Sequence, residues 1–309
     1  MTLLAPYLHL LAARAEWLVL VVPAAALLGD ALGRRDMQAI GARGQRFLAT
    51  LQRKLDRPAR GIATLVYRGI IALTLLLIPA VIAGILLERP LPWVQGAKAL
   101  LLILWFGHGF ATYRVLNLWQ RARRGTLPLE LPGLHFLFAD THAVLRHLVL
   151  TQTERFATAI VGASVWYLIG GMPTMLVYLT AATAARHYRT PAFGWAARAL
   201  FGLLDALPRA LTLLVMLLAA LFTPQTHPIA ACRARSWPAF TARLLGVSLG
   251  GRTPAGDQPW VGTGTPKLTA LHLRRLLQLL LVATILLTLL YAAPHIHELL
   301  ISQPKTGFA

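Results

Sequence analysis

The sequence predicts an all-α fold: a polytopic integral membrane protein of about six transmembrane helices, one of them broken near its centre. Of the 309 residues, 57% are hydrophobic and only 13% are charged, whereas a soluble domain carries about 25% charged residues. Residues 156–185, between Arg155 and Arg186, contain no charged side chain. A helix needs roughly 20 apolar residues to cross a bilayer, so this run is long enough to do so.

The uncharged run is interrupted by Gly170, Gly171 and Pro173. Glycine weakens a helix, and proline removes a backbone donor from it. Irregular backbone at membrane depth is tolerated only where protein or a water-filled cavity surrounds it. The interruption therefore predicts either one kinked span or a re-entrant hairpin, and it marks the region in which a site is expected.

Apolar and basic stretches alternate along the chain. The predicted spans are residues 8–28, 69–87, 99–113, 156–185, 199–222 and 276–293. The basic segments between them are residues 31–68, 114–155 and 223–275. Lysine and arginine gather in cytoplasmic loops, so these three segments are predicted to face the cytoplasm. Apolar residues at helical spacing within residues 31–68 predict an amphipathic helix on the membrane surface.

The topology has two versions. A single kinked crossing at residues 156–185 places all three basic segments on one side but leaves Arg186, Arg189 and Arg198 on the other. A re-entrant hairpin returns these arginines to the cytoplasm but moves residues 223–275 out. We prefer the single crossing because it places more positive charge in the cytoplasm.

The formal net charge of +19 is attributed to these loops, which would face anionic lipid. Nucleic acid is not a predicted partner because no basic surface interleaved with aromatic residues is present. The length predicts a single membrane domain of residues 1–309. The one cysteine, Cys232, excludes an internal disulfide and a cysteine-based metal cluster. No cleavable signal peptide is expected, because the first ten residues lack a basic region.

Histidines do not predict a metal site. His135, His142 and His147 are seven and five residues apart, and these spacings fit neither HxxxH nor HExxH. His108, within a predicted span, is expected to be a packed core residue.

Two pairs of polar residues are candidate site residues. Asp205 and Arg209 lie four apart on one helix face and can form an ion pair. Inside a membrane such a pair indicates function, although at the interface it would merely solvate the helix end. Thr151 and Glu154 precede the uncharged run, where they could form a helix capping box or contribute to a site.

Four stretches carry a resemblance to the CbiB/CobD family of cobalamin-biosynthesis membrane proteins. They are residues 151–171, which end in Gly-Gly, residues 204–209 (LDALPR), residues 245–262, which end in Pro-Trp-Val-Gly, and residues 28–30 (LGD). The resemblance implies an ATP-dependent ligase that joins adenosylcobyric acid to aminopropanol or its phosphate, with ATP and Mg²⁺ as cofactors. It also implies the bacterial inner membrane and a corrinoid ligand, with membrane lipids as surroundings.

The resemblance assigns roles to individual residues. Glu154 and Asp205 would be catalytic. Ligand binding would fall to Asp30, Arg155, Tyr178, Arg209 and Trp260. Several polar positions of the family are replaced here: Thr158 and Ala185 stand where the family has Asp, and Ala182 stands where it has Asn. Phosphoryl chemistry needs acids that hold metal-bound phosphate, so little ligase activity is expected.

An alternative lies within the same superfamily. Residues 186–191 and 203–208 resemble the AmpE-like inner-membrane proteins at least as closely, a branch that also lacks the catalytic set. This resemblance implies a non-enzymatic sensor or regulatory protein, with a protein partner on its basic cytoplasmic face.

Overall fold

The computed structural model describes residues 5–26, 36–57, 61–110, 112–131, 136–188, 190–234, 236–253 and 256–302. The fold is mostly helical. The helices are α1 (Ala5–Ala24), α2 (Asp36–Leu55), α3 (Ile62–Leu87), α4 (Pro92–Phe110), α5 (Thr112–Arg123), α6 (Thr141–Arg155), α7 (Ala163–His187), α8 (Trp195–Leu221), α9 (Pro228–Cys232), α10 (Trp237–Leu245) and α11 (Ala270–Ser302). A π-helical segment, Phe156–Gly162, joins α6 to α7, and the strands are β1 (Leu249–Thr253) and β2 (Gly256–Val261).

The chain forms two compact units. Unit 1 comprises residues 1–109, 157–211 and 288–309, and unit 2 comprises residues 110–156 and 212–287. Each unit is built from stretches that are not consecutive in the sequence, so no single position in the chain separates them. The prediction of a single domain of residues 1–309 stays a prediction.

The central helix of unit 1 is broken where the sequence predicts it. Gly171 has φ 74° and ψ −156°, a backbone conformation open to glycine and strained for any other residue. Pro173 follows, in the first turn of the second half of α7, where its missing N–H leaves no helical hydrogen bond unmade.

The break reverses the chain. The Thr174 hydroxyl donates to the Trp166 carbonyl at 2.5 Å, and Arg186 Nη2 donates to Thr158 Oγ1 at 2.7 Å. In a straight helix, these pairs would be separated by about 12 Å and about 42 Å along the axis. Residues 157–187 therefore form a helical hairpin, with an outgoing arm (157–170) and a returning arm (172–187). This chain reversal is what the re-entrant version requires, and the preference for one kinked element running in a single direction was wrong.

The returning arm packs antiparallel to α3. The backbone of Gly84 lies against Pro173, and the backbone of Gly69, near the other end of α3, lies against the Phe193 carbonyl. A Cβ at either glycine would overlap backbone atoms of its neighbour. The absence of side chains thus lets the two segments approach closely along the length of α3.

Unit 2 folds residues 114–155 and 223–275 together. Its core is formed by apolar residues of α5, α6, α10, β1, α11 and the segment just before α11, among them Val115, Val144, Val149, Leu245, Leu249, Leu268 and Leu276. Polar contacts add to it, since His142 Nδ1 lies 2.6 Å from the Leu268 carbonyl and Arg146 Nη1 donates to the Pro266 carbonyl at 2.8 Å. The two segments predicted as basic loops are therefore largely ordered structure.

A β-hairpin departs from the purely helical prediction. Strands β1 and β2 pair antiparallel, with Gly251 opposite Gln258 and an irregularity between Leu249 and Gly251. Gly250 and Gly251 have positive φ. Glycine-rich strands give no hydrophobic alternation, which is why the sequence predicts a loop here.

Among the described residues, four helical stretches are long and apolar enough to cross a membrane: residues 62–87, 141–187, 195–221 and 270–293. They include four of the six predicted spans. The predicted spans at residues 8–28 and 99–113 overlap α1 and α4, which are not among these four stretches. The stretch 141–187 contains the helical hairpin and so does not run in one direction.

Candidate functional site

A buried polar cluster lies in unit 1 where the helical hairpin meets α8. Asp205 is 4% exposed. The Tyr178 hydroxyl donates to its Oδ1 at 2.8 Å. Arg209 donates from Nε to Oδ2 at 2.8 Å, and its Nη2 lies 2.6 Å from the same oxygen. The ion pair predicted from the spacing of four is therefore present, and both carboxylate oxygens of Asp205 are engaged.

The helical hairpin positions Tyr178 for this contact. Its ring lies against the backbone of Gly162 on the outgoing arm, where a Cβ would overlap the hydroxyl. Phe201 of α8 packs on the same ring with 5.8 Å between centroids. Trp166 Nε1 donates to the Leu204 carbonyl at 3.0 Å. Both arms are therefore hydrogen-bonded to α8, the outgoing arm at Leu204 and the returning arm at Asp205.

The electrostatics of the cluster favour a structural role for Asp205, in which it holds α8 against the helical hairpin. An isolated buried carboxylate is unstable, and a buried ion pair is tolerated when its geometry is good and its remaining lone pairs are satisfied. Asp205 meets both conditions. The Arg209 side chain is 49% exposed, so its outer donors remain accessible to an anion.

The turn of the helical hairpin has a second polar cluster, which the sequence analysis did not predict. Arg14 Nη1 donates to the carbonyls of Leu168 and Ile169 at 3.3 and 2.9 Å, where the outgoing arm ends. Glu88 Oε1 accepts from the Met172 N–H at 2.8 Å, where the returning arm begins. A cation at a helix C-terminus and an anion at an N-terminus both complement the helix dipole.

Lys98 completes the turn cluster. It is 4% exposed, and its Nζ lies 3.2 Å from Glu88 Oε2. The same Nζ lies 5.5 Å from the ring centroid of Trp17 and 5.8 Å from that of Tyr167. Charges within or beside the apolar runs were the signal that could have indicated this cluster, because a buried charge is retained only with partners.

The other predicted site residues belong to unit 2 or lie outside the described residues. Glu154 is exposed on the last turn of α6, and Arg155 is half-buried beside it. Trp260 is 55% exposed on β2 and lies 5.0 Å from the guanidinium of Arg146. Asp30 lies outside the described residues.

The capping-box interpretation of Thr151 and Glu154 was wrong. α6 begins at Thr141, and its N-cap is Asp140, whose side chain accepts from the Ala143 N–H. Residues 151–154 lie in the last turn of α6, from which the helix continues into the π-helical segment. The helix start predicted at residues 151–154 lies too late in the chain because α6 is not uniformly apolar.

The donor set does not fit a nucleotide-bound magnesium ion at Asp205. Mg²⁺ is bound through carboxylate oxygens together with phosphates, and both oxygens of Asp205 already accept from Tyr178 and Arg209. Among the described residues, no three His, Cys, Asp or Glu side chains are grouped so that they could hold a metal ion. His135 and the side chain of His108 lie outside that description.

Comparison with protein-family models, curated proteins and solved structures finds no match to this chain. The fold and its clusters define a class: a mostly helical protein whose described part contains four stretches long and apolar enough to cross a membrane. The resemblance to the CbiB/CobD family stays a prediction.

Proposed function

We propose that this chain is a bacterial inner-membrane protein built on a CbiB/CobD-like scaffold, and that it binds a ligand or partner without catalysing amide ligation at an enzymatic rate. This is the AmpE-like reading: a non-enzymatic sensor or regulatory protein. The observation that carries it concerns Asp205, one of the two acids that the resemblance makes catalytic: both of its carboxylate oxygens accept hydrogen bonds from protein groups.

The membrane part of the proposal is supported by α3. An 18-residue window of this helix has a mean hydropathy of 2.9, and only 22% of that window is buried. Large apolar side chains are exposed on it, among them Leu75, Ile78, Ile82 and Ile85. A contiguous apolar surface of this kind is rare on soluble monomers and indicates contact with lipid or a partner. At 26 residues, the helix is about 39 Å long, enough to cross a bilayer.

The ligase that the resemblance implies is the second candidate, and one observation favours it. Tyr178 and Asp205, two residues to which the resemblance gives a role, are hydrogen-bonded to each other. A ligase would have to release Asp205 from Arg209 before it could hold metal-bound phosphate.

A turnover assay separates the two candidates. We expect purified protein in liposomes, supplied with adenosylcobyric acid, aminopropanol phosphate, ATP and Mg²⁺, to form no amide above the rate of empty liposomes. An enzyme would turn over at roughly 1 to 10³ s⁻¹. Product formation in that range, lost in Glu154→Gln and kept in Asp257→Asn, would establish the ligase and contradict the proposal.

The topology of unit 1 is testable with single cysteines. Starting from Cys232→Ser, we expect Arg57→Cys and Pro191→Cys to react with a membrane-impermeant maleimide from the same side, and Arg89→Cys from the opposite side. All three positions are exposed. Arg57 and Arg89 lie beyond the two ends of α3, and Thr190, beside Pro191, hydrogen-bonds to Asp56.

The starting variant, Cys232→Ser, is the labelling control, since Cys232 itself is exposed. A single kinked crossing at residues 156–185 predicts a different pattern, with Pro191→Cys on the side of Arg89→Cys. Labelling of all three positions from both sides of sealed vesicles would contradict the membrane-spanning part of the proposal.

A further inference from the structure

A cleft opens at the base of the helical hairpin, between the end of α2 and the end of the returning arm. Its volume is about 480 Å³, within the range of small-ligand pockets. The lining residues are Ala49, Gln52, Arg53, Asp56, Arg186 and His187. None of these six residues belongs to the Asp205 cluster or to the turn cluster, and the cleft was not predicted from the sequence.

Two arginines give the cleft its cationic character. Arg53 and Arg186 are both exposed, and each lies in the last turn of its helix. Arg186 is held in place by its bond from Nη2 to Thr158. A guanidinium has five N–H donors, so most of those on Arg186 remain for a ligand. Arginine pairs well with phosphate oxygens because its planar fork matches their spacing.

Asp56 adds a second requirement on the ligand. Its Oδ2 accepts from the Thr190 hydroxyl and from Gln52 Nε2. Its Oδ1 is buried and has no hydrogen-bond donor among the described residues. A buried acceptor without a donor is costly. A ligand that satisfies this oxygen must carry a hydroxyl or ammonium group close to its anionic group.

The position of the cleft indicates the source of that ligand. Helix α2 packs against α3 through Leu48, which is buried with Leu73 in one apolar cluster. On α2, Phe47 is 54% exposed, and Arg46 and Lys54 are exposed as well. A basic helix with an exposed aromatic residue, packed beside the end of an apolar helix, is typical of the membrane interface.

We propose that this cleft binds a phospholipid headgroup, with the phosphate on Arg53 and Arg186 and a headgroup hydroxyl or ammonium on Asp56 Oδ1. The inference rests on the membrane-spanning part of the proposed function. It selects phosphatidylglycerol or phosphatidylethanolamine over phosphatidylcholine, because the choline headgroup has a phosphate but no hydrogen-bond donor.

Lipid binding to the full chain in detergent micelles tests the site, with retained lipid counted by native mass spectrometry. We expect phosphatidylglycerol to be retained more tightly than phosphatidylcholine. Arg53→Gln and Arg186→Gln should each weaken that binding about tenfold, the effect of losing a charged hydrogen bond. Arg57→Gln is the matched control, because it removes the same charge from an exposed neighbour that does not line the cleft.

Asp56→Ala tests the second requirement. We expect it to reduce the preference for phosphatidylglycerol over phosphatidylcholine, while the thermal midpoint shows whether the variant remains folded. Equal effects of Arg57→Gln and Arg186→Gln would overturn the site. Equally tight binding of water-soluble glycerophosphoglycerol would overturn the lipid as the source. If the cysteine labelling gives the expected topology but neither Arg53→Gln nor Arg186→Gln weakens lipid binding, the headgroup site is wrong and the membrane-spanning part of the proposed function still holds.

Discussion

Replacing Gly171 by alanine is expected to destabilise unit 1 by about 4 kcal/mol. The φ of 74° and ψ of −156° lie in a region that is essentially reserved for glycine. The new Cβ would also lie 2.5 Å from Glu88 Oε1 and 3.1 Å from Arg14 Nη2. Backbone strain and the loss of the Glu88 bond to the Met172 N–H therefore add to each other.

The thermal unfolding midpoint of the detergent-purified protein measures this effect, and a fall of about 10 °C is expected. Gly202→Ala is the control. Gly202 lies within α8, and a Cβ there would meet nothing within 4 Å. Alanine favours a helix over glycine by up to about 1 kcal/mol, so this variant should be neutral or slightly stabilised. Equal midpoints for the two variants would show that the chain does not turn at Gly171.

The sequence predicts where the central helix breaks but not how far it turns. Gly170, Gly171 and Pro173 locate the break, because glycine and proline act on the local backbone. The reversal itself depends on groups distant in the sequence, since Arg14 and Glu88 bind the two helix ends that meet at the turn. No local pattern contains that information, and the count of positive charges favoured the other topology.

Unit 2 shows a different limit of prediction from sequence. Residues 114–155 and 223–275 are basic and contain many glycines and prolines, which predicts loops. Their apolar residues are buried only because the two segments fold against each other, as Val149 and Leu268 do in one core. Pairing between segments about 100 residues apart leaves no periodic signal in either one.

The candidate site was predictable to the extent that it is local. A spacing of four residues predicts the Asp205–Arg209 pair, and the structure contains it. The bond from Tyr178 to Asp205 joins the returning arm to α8, and the sequence suggested both residues only through the family resemblance. The cleft at Asp56 was missed because its residues come from two helices, neither of which is unusual alone.

Replacing Asp205 by alanine is expected to destabilise the protein by about 2 kcal/mol. Breaking a fully buried ion pair costs about 3 to 5 kcal/mol, and the exposure of Arg209 lowers this figure because water can solvate the released guanidinium. The Tyr178 hydroxyl, in a fully buried residue, would also lose its acceptor. Thermal midpoints measure the change, and Asp257→Ala, which removes an exposed carboxylate on β2, should stay within about 0.5 kcal/mol of the parent.

A double-mutant cycle shows whether the Asp205 cluster acts as one unit. In the Tyr178→Phe background, Asp205→Ala should cost about 1 kcal/mol less than in the parent, because the bond it breaks is already gone. Additive losses would mean that the two residues do not stabilise each other. If Asp205→Ala is no more destabilising than Asp257→Ala, the carboxylate is not committed to holding α8 against the helical hairpin. Asp205 would then be available to a ligand, and the ligase candidate would gain the acid that it otherwise lacks.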